Sequence, residues 1–535
     1  MDTRKTYDYV IVGAGSAGCV LANRLSEDRD VRVCLLEAGG RDTDPLIHIP
    51  LGMGKLRERR AHDWGFDTEP VPGLAGRRMP ALRGKVLGGS SSINFLTHVR
   101  GNRGDYDRWA QKGCIGWSYQ DVLPYFRKLE RWEGGADDYR GADGPLSVIR
   151  ASSPDPIFDA MQDAAVEAGH PLSDDYNGAR QEGIGVSQLN IGRGKRSSTS
   201  VAYLRPALSR ANLDVVTDAL ASRVLFQGAR AIGVAYEHGG QRREARADKE
   251  VILCAGAFNS PHLLMLSGIG PADRLRAHGI AVIIDSPGVG SNLQDHVYAF
   301  VAHARKQPGP FVDVLRYDRM SVAMARAHLF GTGAATVPPT RMVGFLKTRP
   351  ELAVPDIQFF CGANPRIPHM WFPGWKTAPQ DGFELAPVLL HPESTGELRL
   401  SSADPRAKIR VHQNVLATAN ESRTLREGVK LARDLLSRKP LERYRGNQII
   451  PPPEVKSDAE IDAWLPKAAI AAFHPAGTCA MGVGPDSVLD PELRVHGADA
   501  LRVVDASAMP DLISGNINAC VVMMAEKAAD LIRGR

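Results

Sequence analysis

The stretch that decides the fold is YDYVIVGAGSAGCVLANRLSEDRDVRVCLLEAGG, residues 7–40. The apolar residues 7–12 predict a short buried strand, and a glycine-rich turn at 13–18 follows it at once, before a helical pattern of apolar residues. A second apolar run, 31–36, ends at Glu37. A strand, a G-x-G-x-x-G turn, a helix, a strand and an acid in this order are typical of a dinucleotide-binding unit.

Each residue type in this unit has a physical reason. Gly13 permits the tight turn, Gly15 lets the backbone approach a pyrophosphate, and Gly18 allows the helix to pack closely on the strand. The helix N-terminus offers unpaired N–H groups to phosphates, and Glu37 would accept hydrogen bonds from both ribose hydroxyls. The pattern does not separate NAD from FAD, although its N-terminal position and the following residues 38–40 favour FAD.

Composition narrows the class of protein. The chain has 535 residues, with 66 Lys and Arg against 61 Asp and Glu, a net charge of +5 and 43% hydrophobic residues. These values exclude wholesale disorder and fibrous architectures, predict more than one domain, and argue against nucleic acid as a partner. Glycine is over-represented, with 53 residues, which points to close backbone approaches.

Cysteine usage and the absence of targeting patterns bear on the compartment. The seven cysteines are widely spaced and include no C-x-x-C pair, which favours buried reduced thiols over disulfides or a metal site. No secretory signal pattern is present, and no apolar run reaches the ~18–20 residues that a spanning helix requires. We therefore expect a cytoplasmic protein without a transmembrane segment, and peripheral membrane contact is left open.

A second glycine cluster, RGKVLGGSSSIN at residues 83–94, offers backbone N–H groups and hydroxyls suited to a phosphate or a flavin edge. It resembles the first signature of the glucose–methanol–choline (GMC) oxidoreductases, which are flavoproteins that oxidise alcohols. Residues 256–270, GAFNSPHLLMLSGIG, resemble the second signature, and similar shorter pieces lie at 196–198 and 290–296. The resemblance runs through nearly the whole chain and is closest to bacterial choline-dehydrogenase-like FAD alcohol dehydrogenases and oxidases.

The resemblance implies an α/β fold in two parts. A Rossmann-like FAD-binding domain is expected to be discontinuous, over 1–155, 196–300 and 466–535. An α+β substrate-binding domain, built on an antiparallel sheet, is expected over 156–195 and 301–465.

The implied cofactor is noncovalent FAD, because Ile93 stands where some family members carry a histidine that links the flavin. The residues expected to hold it come from the two glycine clusters and from segments that the family brings to the flavin. They are Gly13, Gly15, Ser16, Gly18, Glu37, Ala38, Arg83, Leu87, Gly88, Gly89, Ser90, Asn94, Phe95, Ala221, Ala255, Asp505, Ala506 and Asn518.

Two residues depart from the family's pattern. Phe95 stands where many members carry a small residue against the flavin, so that it either narrows the pocket or only packs. His98 stands where an aromatic residue or alanine is usual, and the same two interpretations apply to it.

Alcohol oxidation needs a base for the hydroxyl proton, and histidine is the side chain with a pKa nearest neutral pH. The segment FHPAGTCAMG, residues 473–482, resembles the family's H-P-x-G-T-C-x-M-G motif, which implies that His474 is the catalytic base. By the same resemblance Asn516 would donate a hydrogen bond to the alkoxide oxygen and Asn518 would contact the flavin, although their roles could be exchanged. A helix is predicted to follow at about 519–532.

The expected substrate pocket is partly aromatic, with Phe95, Trp371 and Phe473 as its candidates. The segment IPHMWFPGW, residues 367–375, is rich in aromatic and turn residues. It either lines the mouth of the pocket or forms a surface loop that packs its own side chains.

The function expected from these features is the oxidation of a primary alcohol to an aldehyde. His474 would remove the hydroxyl proton, the flavin N5 would accept hydride, and a quinone-type acceptor would take the electrons. Two alternatives remain: an oxidase that uses O2, and a non-redox flavoprotein that resembles the hydroxynitrile lyases of the family. The sequence identifies neither the alcohol nor the oligomeric state.

Overall fold

The computed structural model describes residues 6–534, so that residues 1–5 and 535 of the predicted FAD-binding domain lie outside the described part. Two large sheets dominate the fold. The first has seven strands, of mixed direction. In spatial order they are Leu213–Val216, Val33–Leu36, Thr6–Val12, Gln241–Leu253, Arg230–His238 and Ala219–Gln227, with Leu501–Val503 also paired to Gln241–Leu253.

The parallel half of this sheet is built from short, uninterrupted apolar strands. Thr6–Val12 lies between Val33–Leu36 and the end of Gln241–Leu253, and all four residues of Val33–Leu36 are buried. Continuous apolar runs are typical of parallel strands, because helices or other elements cover both faces of such sheets. The two predicted strands are confirmed, with starts at Thr6 and Val33.

The glycine turn joins the first strand to a helix, Ser16–Leu25. Gly13 adopts a φ of 99°, which favours glycine, and a Cβ on Gly18 would lie 1.9 Å from the carbonyl oxygen of Gly13. The helix therefore packs on the turn as closely as expected for a G-x-G-x-x-G turn. The predicted C-terminal helix spans Asn518–Ile532, packs against Ser16–Leu25 and is buried on nearly every side.

The second sheet has nine strands, and all but its last pairing are antiparallel. Its main strands, in spatial order, are Arg445–Ile450, Val301–Arg305, Gly382–Leu389, Ile357–Gly362, Met342–Leu346, Gly183–Val186 and Leu172–Ser173. The short strands Val297–Tyr298 and Ile470–Ala471 join it beside Gly382–Leu389.

One long helix, Ala419–Ser437, covers a face of this sheet. A capping box between Thr418 and Glu421 starts the helix by satisfying its first N–H groups. Leu425, Val429, Ala432 and Leu436 are buried at helical spacing and form the stripe that packs on the strands. The other helices are Pro45–His48, Met53–Arg59, Arg103–Gln111, Tyr119–Leu129, Ile157–Glu167, Arg205–Ala207, Gly256–Leu266, Ala272–Ala277, Pro310–Val314, Tyr317–Phe330 and Asp458–Ala468.

Two large apolar cores accompany the two sheets. This arrangement confirms the expected α/β fold with a second, antiparallel sheet. The expected domain boundaries stay a prediction. The short strands Val297–Tyr298 and Ile470–Ala471 fall within the ranges expected for the FAD-binding domain, but they pair as part of the second sheet.

Two predictions about the whole chain can be compared with the structure. All seven cysteines are buried, and no disulfide joins any two of them within residues 6–534. Across the same residues, none of the helices combines the length and the apolar character needed to cross a membrane.

Candidate functional site

A cavity of about 1760 Å³ lies between the ends of the parallel strands and the second sheet. Pockets for a single small ligand usually measure about 300–1,000 Å³, so this cavity has room for a large cofactor and a substrate together. Most of the residues predicted to bind the cofactor line it. They are Gly13, Gly15, Ser16, Glu37, Ala38, Arg83, Gly89, Ser90, Asn94, Phe95, Ala221, Ala255, Asp505, Ala506 and Asn518.

Three predicted cofactor residues lie behind the wall of the cavity. Gly18 is packed on Gly13, and the backbone N–H of Gly88 donates to the carbonyl of Ala14 at 2.7 Å. The carbonyl of Leu87 accepts a hydrogen bond from the Ser92 hydroxyl. These contacts support the turn that faces the cavity.

The two glycine clusters meet at the cavity. A Cβ on Gly89 would lie 2.7 Å from Cα of Gly15, so the two backbones touch, whereas a Cβ on Gly15 would meet nothing closer than 3.9 Å. The open side of Gly15 therefore faces the cavity. The helix Ser16–Leu25 starts here, and no side chain in the described part of the chain caps its first N–H groups. Such free N–H groups bind phosphate, and they fit the pyrophosphate of a dinucleotide.

Glu37 lies at the end of its strand and lines the same region. Its two carboxylate oxygens accept hydrogen bonds from the backbone N–H groups of Ala14, at 2.8 Å, and Gly39, at 2.7 Å. Burial raises the pKa of Glu37 to about 7, although these two N–H groups act in the opposite direction. Each oxygen keeps a second lone pair, so the carboxylate can still accept a ribose hydroxyl. The donors and acceptors here fit the adenosine part of FAD.

Asp505 is used inside the protein. One of its oxygens accepts from the backbone N–H of Gly256, at 2.8 Å, and from the Ser260 hydroxyl, at 2.5 Å. The other accepts from the backbone N–H and the hydroxyl of Ser507, at 2.8 and 2.5 Å. The carboxylate therefore holds the turn at Gly256, and Ala506 beside it is left to approach a cofactor.

The loop 83–94 is held from behind by Arg196. The buried guanidinium donates to Oδ1 of Asn94, at 2.7 Å, and to the carbonyl of Ile47, at 2.8 Å. Burial lowers the pKa of Arg196 to about 9. Ile93, the residue that argues against a covalent flavin, lines the cavity.

His474 and Asn516 lie together in the wall of the cavity. The Asn516 side-chain nitrogen is 3.0 Å from Nε2 of His474, and Nδ1 of that ring is 3.0 Å from Nδ1 of His296. The backbone N–H of His474 donates to Asp295 at 2.7 Å, and Gln358 donates to Oδ1 of Asn516 at 3.2 Å. Both predicted catalytic side chains are therefore oriented by neighbours.

The electrostatics of this cluster keep the imidazole neutral. Burial, with further contributions from His296 and Arg83, holds the pKa of His474 well below its usual 6.5. Burial likewise lowers the pKa of His296 to about 3 and raises that of Asp295 to about 7. An unprotonated histidine in a cavity can accept a proton, which is what alcohol oxidation requires.

The structure separates the two candidate asparagines. Asn516 contacts His474, whereas Oδ1 of Asn518 accepts a hydrogen bond from the Ser16 hydroxyl at 2.8 Å. Asn518 therefore ties the start of the C-terminal helix to the glycine turn. This geometry favours Asn516 for a chemical role and Asn518 for the cofactor end.

The aromatic candidates lie in different places. Phe95, which is 40% exposed, and Phe473 line the cavity. Trp371 is not brought to the cavity, because its indole N–H donates to the carbonyl of Val312 at 2.8 Å, although the preceding residues 367–370 do line the wall. His98 lies in neither place. It is buried with Nε2 3.1 Å from Glu130, and so it packs rather than gates the cavity.

Several residues of the site were not identified from the sequence. Gln358 orients Asn516, and Tyr298 contributes an aromatic wall. Arg57, Arg366 and Glu384 place charge in the cavity. None of them belongs to a recognisable motif, and only the alternation of residues along Ile357–Gly362 could have placed Gln358 on the same face as its cavity-lining neighbours.

Comparisons with known proteins identify the family of the chain. The N- and C-terminal sequence models of the GMC oxidoreductases match residues 7–298 and 392–525. The mitochondrial choline dehydrogenase of Mus musculus is 44% identical over 538 residues, which cover 99% of this chain and 89% of that protein. The oxygen-dependent choline dehydrogenase of Paraburkholderia phymatum is 42% identical, over 99% of this chain and 93% of that protein.

Solved structures resemble the whole chain. The pyridoxine 4-oxidase from Mesorbium loti superposes with a TM-score of 0.88 at 31% identity, over 99% of both chains. A formate oxidase of Aspergillus oryzae RIB40 superposes with a TM-score of 0.90 at 30% identity, over 99% of this chain and 98% of that chain. Both sheets are thus parts of a shared fold.

Proposed function

The chain belongs to the GMC oxidoreductase family, and from that membership we propose that it oxidises a primary alcohol to an aldehyde with His474 as the base. It is a choline-dehydrogenase-like flavoenzyme that oxidises alcohols and uses FAD. The observation that carries the finer proposal is the contact between His474 and Asn516 in the wall of a cavity that also contains the glycine turn.

Nε2 of His474 accepts the proton of the substrate hydroxyl. If the Asn516 amide nitrogen donates to this atom, Nε2 is an acceptor and the ring proton lies on Nδ1, directed at His296. The low pKa of His474 keeps Nε2 unprotonated near neutral pH. A substrate hydroxyl that enters between His474 and Asn516 can therefore take over the lone pair of Nε2 and pass its proton to it as the alcohol is oxidised.

Asn516 stabilises the oxygen that carries the developing negative charge. Its NH2 group is a donor in a partly buried setting, where a fixed hydrogen bond is stronger than in water. Gln358 keeps this group in place by donating to Oδ1 of the same amide. When bound, FAD supplies the hydride acceptor at the flavin N5, while the protein orients the alcohol and handles its proton.

The electron acceptor that we propose is a quinone-type molecule, with O2 as the alternative. Apolar side chains at the cavity wall suit an apolar ring. They are Phe311, Leu315, Met320, Met324 and Ile367. The names of the relatives include both dehydrogenases and oxidases, so the measurement that decides is the rate of reoxidation of the reduced protein by air against that by a soluble quinone.

The experiment that tests the reaction type is anaerobic mixing of the purified holoprotein with primary alcohols. Loss of the flavin absorbance on mixing, with an aldehyde as the product, supports the proposal. A flavin that no alcohol reduces, together with cleavage of a cyanohydrin, would replace it with a non-redox lyase. The series of alcohols includes choline, because the relatives are named choline dehydrogenases.

A further inference from the structure

Three charged side chains lie near one another in the cavity wall: Arg57 from the helix Met53–Arg59, Arg366 from a loop, and Glu384 from the strand Gly382–Leu389 of the second sheet. Nη1 of Arg366 lies 3.5 Å from Oε2 of Glu384, whose side chain is only 18% exposed. The guanidinium carbon of Arg366 also lies 3.9 Å from the ring centre of Phe300. The charged group and the aromatic face are therefore already paired with each other.

Arg57 extends the same cluster towards the catalytic pair. Its guanidinium carbon lies 5.5 Å from the ring centre of Phe473, the residue next to His474, and 5.6 Å from that of Phe95. Arg57, Arg366 and Glu384 all act on the ionisation of the buried Tyr298 phenol, so the three charges converge on one side chain.

The cluster carries an excess of positive charge, because two guanidinium groups face one carboxylate. Burial raises the pKa of Glu384, although Arg366 and Arg57 act in the opposite direction. Other carboxylates of the cavity wall are engaged elsewhere: Glu37 and Asp505 accept hydrogen bonds from nearby backbone and hydroxyl groups, and Glu58 pairs with Lys55 at 2.8 Å. An uncompensated cation in a partly enclosed site favours an anionic ligand.

The register of the sheet sets the distance between this cluster and the reacting end. Gln358, which holds Asn516, pairs with Val388, and Gly362 pairs with Glu384 on the neighbouring strand. The pair Gln358–Val388 and the pair Gly362–Glu384 are four residues apart along the strands, or about 13 Å at the rise of a β-strand. Long side chains reach back over part of that span, so a ligand anion would lie several ångströms from a hydroxyl held at His474.

We propose that the site is built for an alcohol with a carboxylate at the end remote from its hydroxyl, held between Arg57 and Arg366. This inference rests on the proposed function and names its substrate class. Two aromatic faces of the cavity wall that could bind a quaternary ammonium group already lie against guanidinium groups, namely Phe300 under Arg366 and Phe473 under Arg57. A cationic alcohol at either of these faces would lie beside a guanidinium group.

The test uses three benzyl alcohols that differ only at the para position: 4-(hydroxymethyl)benzoate, 4-methylbenzyl alcohol and 4-(hydroxymethyl)phenyltrimethylammonium. The second-order rate constant for anaerobic flavin reduction is measured for each with the wild-type holoprotein and with Arg366→Met. The electronic effect of each substituent cancels when the variant is compared with the wild type. The matched control is Arg316→Met, since Arg316 also lies over an aromatic ring, at 5.9 Å from the centre of Trp371, but is not among the cavity-lining residues.

We expect Arg366→Met to lower the rate constant for the carboxylate by about 10- to 100-fold relative to that for the ammonium compound, as the loss of a charged hydrogen bond implies. In the control Arg316→Met, the ratio of the rate constant for the carboxylate to that for the ammonium compound should equal the wild-type ratio. Flavin content, read from the visible spectrum, shows that each variant is folded and loaded. An equal loss for all three alcohols in Arg366→Met, or a larger loss for the ammonium compound than for the carboxylate, overturns the inference and leaves the proposed function standing. If none of the three reduces the flavin of the wild type while another primary alcohol does, this inference fails and the proposed function stands; if no primary alcohol does, both fail.

Discussion

Nδ1 of His296 lies 3.0 Å from Nδ1 of His474, and the two rings meet edge to face. Because Asn516 occupies the opposite nitrogen of His474, the hydrogen-bond network assigns the ring proton of His474 to Nδ1 and makes His296 its acceptor. His296 thereby fixes the tautomer in which Nε2 can take a proton. It acts through His474, as a positioning residue.

Substitutions of His296 test this relationship. His296→Gln keeps an oxygen acceptor near Nδ1, so the rate constant for flavin reduction at pH 7.5 should stay within a few-fold of the wild type. His296→Leu removes the acceptor and should lower that rate constant about 10-fold or more, because the wrong tautomer becomes populated. Stopped-flow reduction by one alcohol compares the two variants. Equal rate constants for the Gln and Leu variants would exclude a role in setting the tautomer.

The pH dependence of flavin reduction follows from the direction of the His474 shift. A histidine with the usual pKa of 6.5 would be about 90% protonated at pH 5.5 and would lose most of its activity there. Burial keeps the pKa of His474 well below that value, so protonation occurs only at lower pH. We expect the limiting rate constant to be constant from pH 8 to pH 5.5. An acid limb centred near pH 6.5 would contradict the burial of a neutral imidazole.

Gly15 and Gly18 separate cofactor binding from folding. A Cβ on Gly15 would lie 3.9 Å from its nearest protein atom, the carbonyl oxygen of Cys254, and would project into the cavity. Gly15→Ala should therefore fold and retain less FAD. A Cβ on Gly18 would lie 1.9 Å from the carbonyl oxygen of Gly13, so Gly18→Ala should lower the melting temperature of the apoprotein as well. Flavin absorbance and thermal unfolding are measured on both. Full FAD content in Gly15→Ala would show that the cofactor does not lie against this turn.

Asn516 is expected to act on the transition state rather than on binding of FAD. Asn516→Ala removes a donor to the alkoxide oxygen and should lower the rate constant for flavin reduction by about 10²- to 10³-fold, with normal FAD content. Asn518→Ala is the matched control, because Asn518 contacts Ser16 and not His474. A larger loss of the reduction step in the Asn518 variant would reverse the assignment of the two asparagines.

How much of this site could be predicted depends on whether the residues are contiguous in sequence. The glycine turn, Glu37 and His474 belong to local sequence motifs, so they could be recognised from the sequence, and they line the cavity. Arg366 and Glu384 come from a loop and a strand whose proximity depends on the register of the second sheet, and a single sequence carries little information on register.

Trp371 illustrates the opposite limit. An aromatic, turn-rich segment predicts a pocket wall by composition, but composition does not determine which side chains face inward. The first residues of this segment, 367–370, line the cavity, while the indole of Trp371 is held by the carbonyl of Val312. Similarly, nothing local to His98 reveals that Glu130, over thirty residues away in sequence, is its partner.

Glu130 provides a prediction about stability away from the catalytic pair. It is fully buried and pairs with Arg140 at 2.6 Å, as well as with Arg100 and His98. Glu130→Gln leaves the buried Arg100 without its carboxylate partner and leaves Arg140 with Asp175 alone, so it should lower the free energy of unfolding by about 3–5 kcal/mol. Asp273→Asn, at an exposed pair with Arg276, is the control and should have no measurable effect. Denaturant unfolding of the holoproteins makes the comparison.

The same cluster has a defined pH dependence. Burial acts to raise the pKa of Glu130, but Arg100, His98 and Arg140 outweigh it and hold the pKa well below the usual 4.5. A carboxylate with a depressed pKa stabilises the fold above the unfolded pKa, and this contribution is lost as the pH falls below 4.5. The stability difference between the wild type and Glu130→Gln should therefore shrink in acid. A difference that is constant from pH 7 to pH 4 would show that the ionised carboxylate is not the stabilising species.

The measurement that tests the proposed chemistry most directly is single-turnover anaerobic reduction of the flavin by alcohol in His474→Gln, with the wild type and Asn518→Ala beside it. His474→Gln preserves a hydrogen-bonding group but cannot accept the hydroxyl proton near neutral pH. We expect FAD to remain bound and the rate constant for reduction to fall by about 10²- to 10⁴-fold, as the loss of a general base implies. Reduction at the wild-type rate constant, in a variant that holds its full complement of FAD, would contradict the assignment of His474 as the base.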